Sequence, residues 1–386
     1  MERTPISGRN AGQRNPWIEM LRIVAMLMIL TAHLLSMSGW PVWQVTPGLR
    51  GSLIRTTINV MGLGGSGLFF VITGYFMVDR PFRVKRIVRV WTQTLCYTLG
   101  ILTAVAAVQW GAGVPFSQGL VSQGNGLVRN ILFAVLPVFN TSYWFITAYL
   151  VLLLLAPFLN TLFASMSSRA MTALTVFVAF LSLWPAVSLS SGYWNDLGFA
   201  ILGYLIGAWL RMHPDFVRHR GTVGAALVLI PLSVAALLAF DYLSQGPWTG
   251  VAELFGWNTK FWITGGRIVL LPLLTVTSLF VLALHGPSLG RRTTACIDFI
   301  ATGVFGVYLI HVDDIIGGWL WTRVSTLLGV TGASMDRQLS LAVPTVIGLF
   351  IVYCAAATIY DRLVVRPVQR AVTQLLPLRH SRPAHA

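Results

Sequence analysis

The first apolar stretch, from Trp17 to Ser38, sets the terms for the rest of the chain. It is long enough to cross a bilayer as a helix, since about 20 apolar residues at 1.5 Å each span the hydrocarbon. Yet it carries Glu19, Arg22 and His33. Ionisable groups in a membrane helix are costly and usually face a protein interior or a wet cavity. Glu19 and Arg22 are three residues apart and can pair. Arg22 and His33 are eleven apart, close to three full turns, so they share one face roughly 16 Å apart along the axis. Two polar groups on one stripe predict a helix that lines a polar path, with an arginine near one end and a titratable base further in. The plainer reading is a charged anchor plus a core histidine bonded to a neighbouring helix.

Composition extends this to the whole chain. Of 386 residues, 55% are hydrophobic and 10% charged, with a mean hydropathy of +0.73; no soluble domain is this apolar. The expected fold is an all-α integral membrane protein of about ten transmembrane helices. These fall near 17–38, 57–78, 86–109, 143–165, 170–190, 195–210, 221–243, 258–284, 297–321 and 339–361. The stretch 126–139 is too short to span and ends near Pro137, which predicts a re-entrant or interfacial helix. Residues 1–16 form a basic N-terminal tail, 17–365 the membrane domain and 366–386 a basic C-terminal tail. The first helix is read as an uncleaved span, because a cleaved signal has a shorter apolar region followed by small residues.

Charge gives the orientation. With both termini cytoplasmic, 20 of the 27 Lys and Arg fall on the cytoplasmic side, and Arg50, Arg55, Arg129, Lys260, Arg267, Arg323 and Arg337 on the other. That is the positive-inside pattern. The net charge of +15 is therefore topological and lipid-facing. Nucleic-acid binding is excluded as a reading, because the basic residues lie in separated short loops. Trp40, Trp43, Trp248, Trp257, Trp319 and Trp321 suit an interfacial belt. Cys96, Cys296 and Cys354 show neither disulfide nor redox spacing, and no cluster has metal-ligand spacing, so no metal is expected.

Several local patterns can carry chemistry. Gly62, Gly64, Gly65 and Gly67 predict a loosened helix start beside a cavity, since each glycine costs about 1 kcal/mol in a helix. No Gly-Lys-Ser/Thr follows, so this is not a nucleotide loop. Arg83, Arg86 and Arg89, with Lys85 among them, recur on the first turns of the third span; arginine forks suit phosphate oxygens, and fixing topology is the competing account. Asn140, Tyr143 and Trp144 are residues that hold a sugar by hydrogen bonds and stacking, or that belong to the interfacial belt. His311 lies in the ninth span as a second polar pore residue, also on the substrate side, or as a packing hydrogen bond. Asp313 and Asp314 follow it and can simply mark the watery outer half.

Taken in order, these features resemble the acyltransferase-3 family of membrane proteins, which includes O-acetyltransferases of bacterial surface polysaccharides. The matching residues are Arg22 and His33; Phe69, Phe70, Thr73, Gly74 and Tyr75; Arg86 and Arg89; the segment Tyr143 to Pro157; and Tyr308 to His311. Thr73 stands where the family often has serine, and keeps the hydroxyl. The resemblance implies acyl-CoA, most often acetyl-CoA, as donor. It implies a glycan or lipid-linked sugar as acceptor, a bacterial cytoplasmic membrane as location and glycan-assembly proteins as possible partners. On that basis His33 is the general base, Arg22 anchors the donor with Glu19 orienting it, and Arg83, Arg86 and Arg89 hold the CoA phosphates. A transporter or flippase for a lipid-linked sugar or small anion would also use intramembrane Arg and His. Against it, the chain shows no repeated half. A non-catalytic scaffold has no need of the Arg22–His33 stripe.

Overall fold

The computed structural model describes residues 15–37, 48–115, 118–121, 126–187, 194–255, 268–330 and 333–375; of these, all regular structure is helical. Seven helical runs among them are long and apolar enough to cross a membrane: Pro16–Ser36, Leu49–Met77, Val84–Gly111, Thr141–Ser165, Arg220–Ser244, Arg291–His311 and Met335–Leu375. Fourteen helices of eight or more residues are numbered here. They are α1 Pro16–Met37, α2 Leu49–Met77, α3 Val84–Gly111, α4 Gly126–Val135, α5 Trp144–Ser165, α6 Ser168–Leu181 and α7 Asp196–Met212. The rest are α8 Arg220–Ser244, α9 Leu270–Leu284, α10 Arg291–Ala301, α11 Val304–His311, α12 Gly317–Leu327, α13 Met335–Tyr360 and α14 Arg366–Leu375.

Local chemistry sets several boundaries. Ser167 caps α6 by accepting from the Ala170 amide, and Asn195 caps α7 by accepting from the Leu197 and Gly198 amides, as short polar side chains do at helix starts. The expected ninth span, 297–321, is instead divided. Helix begins at Arg291, turns at Thr302 and Gly303, and stops at His311. There Asp313 Oδ1 accepts from the Ile315 and Ile316 amides and folds the chain back before α12. α4 is a helix of ten residues followed by a tight turn at Pro137–Phe139. α6 ends at Leu181, short of the expected 190.

α2 and α1 form the centre: 72% and 61% of their apolar cores are buried, against 17–39% for the other five runs. α2 packs against α1, α7, α8 and α9, and α1 against α2, α9, α10, α11 and α13. Lipid tails are as apolar as leucine, so helices in a membrane associate through close packing and polar bonds rather than through the hydrophobic effect. The four glycines of α2 show this. The helix runs unbroken through Gly62, Gly64, Gly65 and Gly67, which corrects the expected loosened start. A Cβ on Gly65 would meet the Ala25 carbonyl oxygen at 2.7 Å, and one on Gly64 would meet Val276 of α9 at 3.0 Å. Further along, a Cβ on Gly74 would sit on the Tyr204 carbonyl, and one on Gly207 on the Val71 carbonyl. Glycine here lets α2 lie backbone to backbone on α7.

The start of α2 carries a second correction. It begins at Leu49, eight residues before the expected span, because polar residues that break the apolar pattern point inward. Arg55, expected among the outer loop charges, is buried. Its Nε donates to both oxygens of Asp241 on α8 at 3.1 and 3.2 Å. Its Nη2 donates to Asp241 Oδ2 at 2.8 Å and to Ser52 Oγ at 3.1 Å. Several hydroxyls elsewhere are satisfied within their own helices: Thr31, Ser66, Thr73 and Thr94 each bond the carbonyl four residues back. Trp248 and Trp319 are exposed as a belt requires, but Trp321 is buried against His311; Trp40, Trp43 and Trp257 lie outside the described residues.

Breaking a buried pair leaves a charge stranded, at about 3–5 kcal/mol, whereas replacing both partners with apolar groups is often neutral. Arg55→Met and Asp241→Leu are therefore each expected to lower the thermal midpoint in detergent sharply, and the double variant to recover most of the loss. Single losses that simply add would show that the pair is not what joins α2 to α8.

Candidate functional site

α1 and α2 run antiparallel, since Gly62 faces Ala32 while Gly65 faces Ala25. The Arg22 end of α1 is thus at the same end of the bundle as Thr73 and the start of α3. Between these helices lies a cavity of about 290 Å³, lined by Arg22, Met26 and Ile29 of α1 and Phe69, Ile72 and Thr73 of α2. Val90, Phe145, Tyr149, Ala301, Val304, Phe305 and Tyr308 close it. Its polar groups are few: the Arg22 guanidinium, the Thr73 hydroxyl and two phenols, set among apolar and aromatic walls. That is the usual make-up of a pocket for an organic molecule.

Helical spacing explains how one motif serves both walls and seam. Phe69, Ile72 and Thr73 face the cavity. Phe70, on the next face, is wedged between Phe145 and Phe199, with ring centroids at 4.9 and 5.5 Å. Gly74 lies against α7, and Tyr75 packs edge-on to Phe280 at 5.1 Å under the Arg211 guanidinium.

At one end of the cavity, Arg22 Nη1 donates to both oxygens of Glu19, at 2.9 and 3.0 Å. Glu19 is buried while the Arg22 side chain remains 35% exposed, so the carboxylate anchors the guanidinium and leaves part of it accessible. Arg86 is one turn before Val90 on α3, half-buried, and its Nη1 donates to the Pro81 carbonyl at 3.2 Å. Arg83 immediately precedes α3 and Arg89 lies one turn on from Arg86; both are exposed.

At the other end the lining stops at Ile29 and Tyr308. One turn beyond each stands a histidine: His33 on α1 and His311 on α11. Their rings meet, His33 Nδ1 to His311 Nε2 at 3.0 Å, and His311 Nδ1 lies 2.7 Å from the Val307 carbonyl oxygen. His311 is buried, edge-on to the rings of Tyr308 and Trp321.

The Asn140–Trp144 segment meets the end of α11 and the turn after it, on either side of His311. Tyr143, fully buried, has its hydroxyl 2.9 Å from Asp313 Oδ2 and 3.1 Å from the Leu309 carbonyl. Asn140 Oδ1 accepts from the Ser142 amide, and Ser142 Oγ donates to Asp314 at 3.1 Å. Asp313 is accordingly buried and does not mark a wet surface. Burial pushes its carboxyl up to about 6, against the lowering influence of the Tyr143 phenol and two backbone amides. Sequence spacing joined Arg22 to His33. It missed the His33–His311 contact, the Tyr143–Asp313 bond and the part of Tyr149 in the cavity, because no local pattern links residues on separate helices.

A multi-pass helical membrane protein with a polar-ended cavity and a histidine pair at its far end is the class these features define. The family model for acyltransferase-3 proteins, described as an acyltransferase domain, matches residues 15–361. The chain belongs to that family. No curated protein and no solved structure matches it.

Removing a hydrogen bond to a buried charged group costs about 1.5–3 kcal/mol. Tyr143→Phe is expected to destabilise the protein by that amount in thermal unfolding. An unchanged midpoint would show that Asp313 is held by the turn amides alone.

Proposed function

We propose that this chain is a membrane O-acyltransferase. It moves an acyl group, acetyl foremost, from acyl-CoA to a hydroxyl of a cell-surface glycan or lipid-linked sugar. The observation that carries the reading is the cavity that starts at Arg22 and ends one turn short of His33, in a chain of this family. The distance between those two residues, roughly 16 Å along α1, is of the order of an extended pantetheine arm.

In this reading both termini are cytoplasmic, in a bacterial cytoplasmic membrane, so the Arg22 end of the bundle faces the compartment that holds CoA. Arg86 and Arg89, with Arg83, hold the CoA phosphates, which guanidinium forks suit. Arg22, steadied by Glu19, anchors the arm within the cavity. The acceptor enters at the opposite end, held by Asn140, Tyr143 and Trp144 of the segment that bonds the residues flanking His311, and the chain works beside glycan-assembly proteins. His33 takes the proton of the acceptor hydroxyl as the oxygen attacks the thioester carbonyl. The new carbon–oxygen bond forms, the carbon–sulfur bond breaks, and the proton passes from His33 to the departing CoA sulfur.

Acyl transfer in proteoliposomes with radiolabelled acetyl-CoA and a surface-glycan acceptor tests this. The wild type should release CoA and label the acceptor. His33→Ala should lose roughly 10²–10⁴ in rate, the usual worth of a positioned base. Arg86→Ala should raise the KM for acetyl-CoA about tenfold, as one lost charge-assisted bond does. A correctly folded His33→Ala protein that transfers at the wild-type rate would refute the base. Movement of a lipid-linked sugar without CoA would favour a flippase.

A further inference from the structure

The histidine pair contains more information than its proximity. A carbonyl oxygen only accepts, so His311 Nδ1, 2.7 Å from the Val307 oxygen, carries a proton. In a neutral His311, Nε2 then has a lone pair and can only accept. His33 Nδ1, 3.0 Å away, must therefore be the donor. A neutral His33 with its proton on Nδ1 has its own lone pair on Nε2. The backbone of α11 thus dictates, through two rings, which nitrogen of His33 is basic.

We propose that His311 is a positioning residue for the transfer reaction, holding His33 in the Nδ1–H tautomer so that Nε2 is the atom that receives the acceptor proton. This rests on His33 as the base. It assigns His311 to the base and not to the substrate. Once Nε2 is protonated, the His33 imidazolium keeps its Nδ1–H bond to the His311 acceptor, so the charge formed during attack is met by a lone pair already in place. The His311 ring is itself fixed. Val307 holds one nitrogen, and Tyr308 and Trp321 stand edge-on at 5.8 and 6.3 Å. His33 therefore gains an orientation as well as a tautomer, the role that an outer hydrogen bond to histidine plays in other sites.

The test uses the full chain in proteoliposomes, with nitrogen-15 in its histidines, read by solid-state NMR; His33→Ala identifies the His33 signals by difference. In the wild type, His33 should be the Nδ1–H tautomer, with a nitrogen–nitrogen coupling to His311 across the hydrogen bond. In His311→Phe the coupling should vanish and His33 should become a mixture of tautomers. Acetyl transfer by the same samples should show kcat reduced roughly ten- to hundredfold, part of the worth of the base, with the KM for acetyl-CoA unchanged. His311→Gln, whose amide oxygen can accept from His33 Nδ1, should recover much of that loss, which a purely structural role would not predict.

An Nε2–H tautomer of His33 in the wild type, a doubly protonated His311, or an undiminished kcat in His311→Phe would each overturn the proposal. Full activity in His33→Ala would instead sink the base reading, and the wild-type spectrum would still decide the tautomer. That spectrum does not depend on His311→Phe, so a misfolded Phe variant cannot obscure the answer.

Discussion

The site depends on how closely α2 approaches its neighbours. In a bilayer there is no hydrophobic gain from bringing two apolar helices together, so proximity has to come from surface shape and from polar bonds. α2 uses both. Glycines on one face let it lie on α1, others let it lie on α7, and Arg55 ties its start to Asp241 of α8. With α1, α7, α8 and α9 packed on it, α2 keeps one further face, Phe69, Ile72 and Thr73, as a wall of the cavity. The wall opposite is α1, whose residues Arg22 and His33 lie where its contact with α2 puts them.

Much of this was legible in the sequence, and the reasons are physical. A helix periodicity is a local property, so Arg22 and His33 could be placed on one stripe from spacing alone, as could the pairing of Glu19 with Arg22. Long apolar runs gave the class of fold. What spacing does not contain is which helix lies against which. The glycines of α2 looked like a weakness in a helix because the partners that make them useful, Ala25 and Val276, are far away in the chain. Arg55 looked like a loop charge because Asp241 is 186 residues on. Asp313 looked like a sign of water because Tyr143 lies 170 residues before it. In each case a polar or flexible residue was given its solvent-exposed meaning, and a distant partner reversed it.

The same logic explains the boundaries that moved. Apolar windows find the parts of a helix that face lipid, and end where polar residues begin. α2 continues for eight residues beyond that point because its polar residues face other helices. The ninth expected span failed in the opposite way. The apolar sequence on both sides of His311, Asp313 and Asp314 reads as one span, but Asp313 accepts two backbone amides and folds the chain back there.

The backbone contact between α2 and α7 has one more consequence. Where side chains separate two helices, a crowded pocket can widen, because rotamers shift and the helices slide apart by fractions of an ångström. Where main chain meets main chain, at Gly74 and Tyr204 and again at Val71 and Gly207, no soft layer remains to compress. The wall carrying Phe69 and Thr73 is in effect a fixed jaw. A cavity with one fixed jaw can widen only through its other walls, those of α1, α3, α5, α10 and α11.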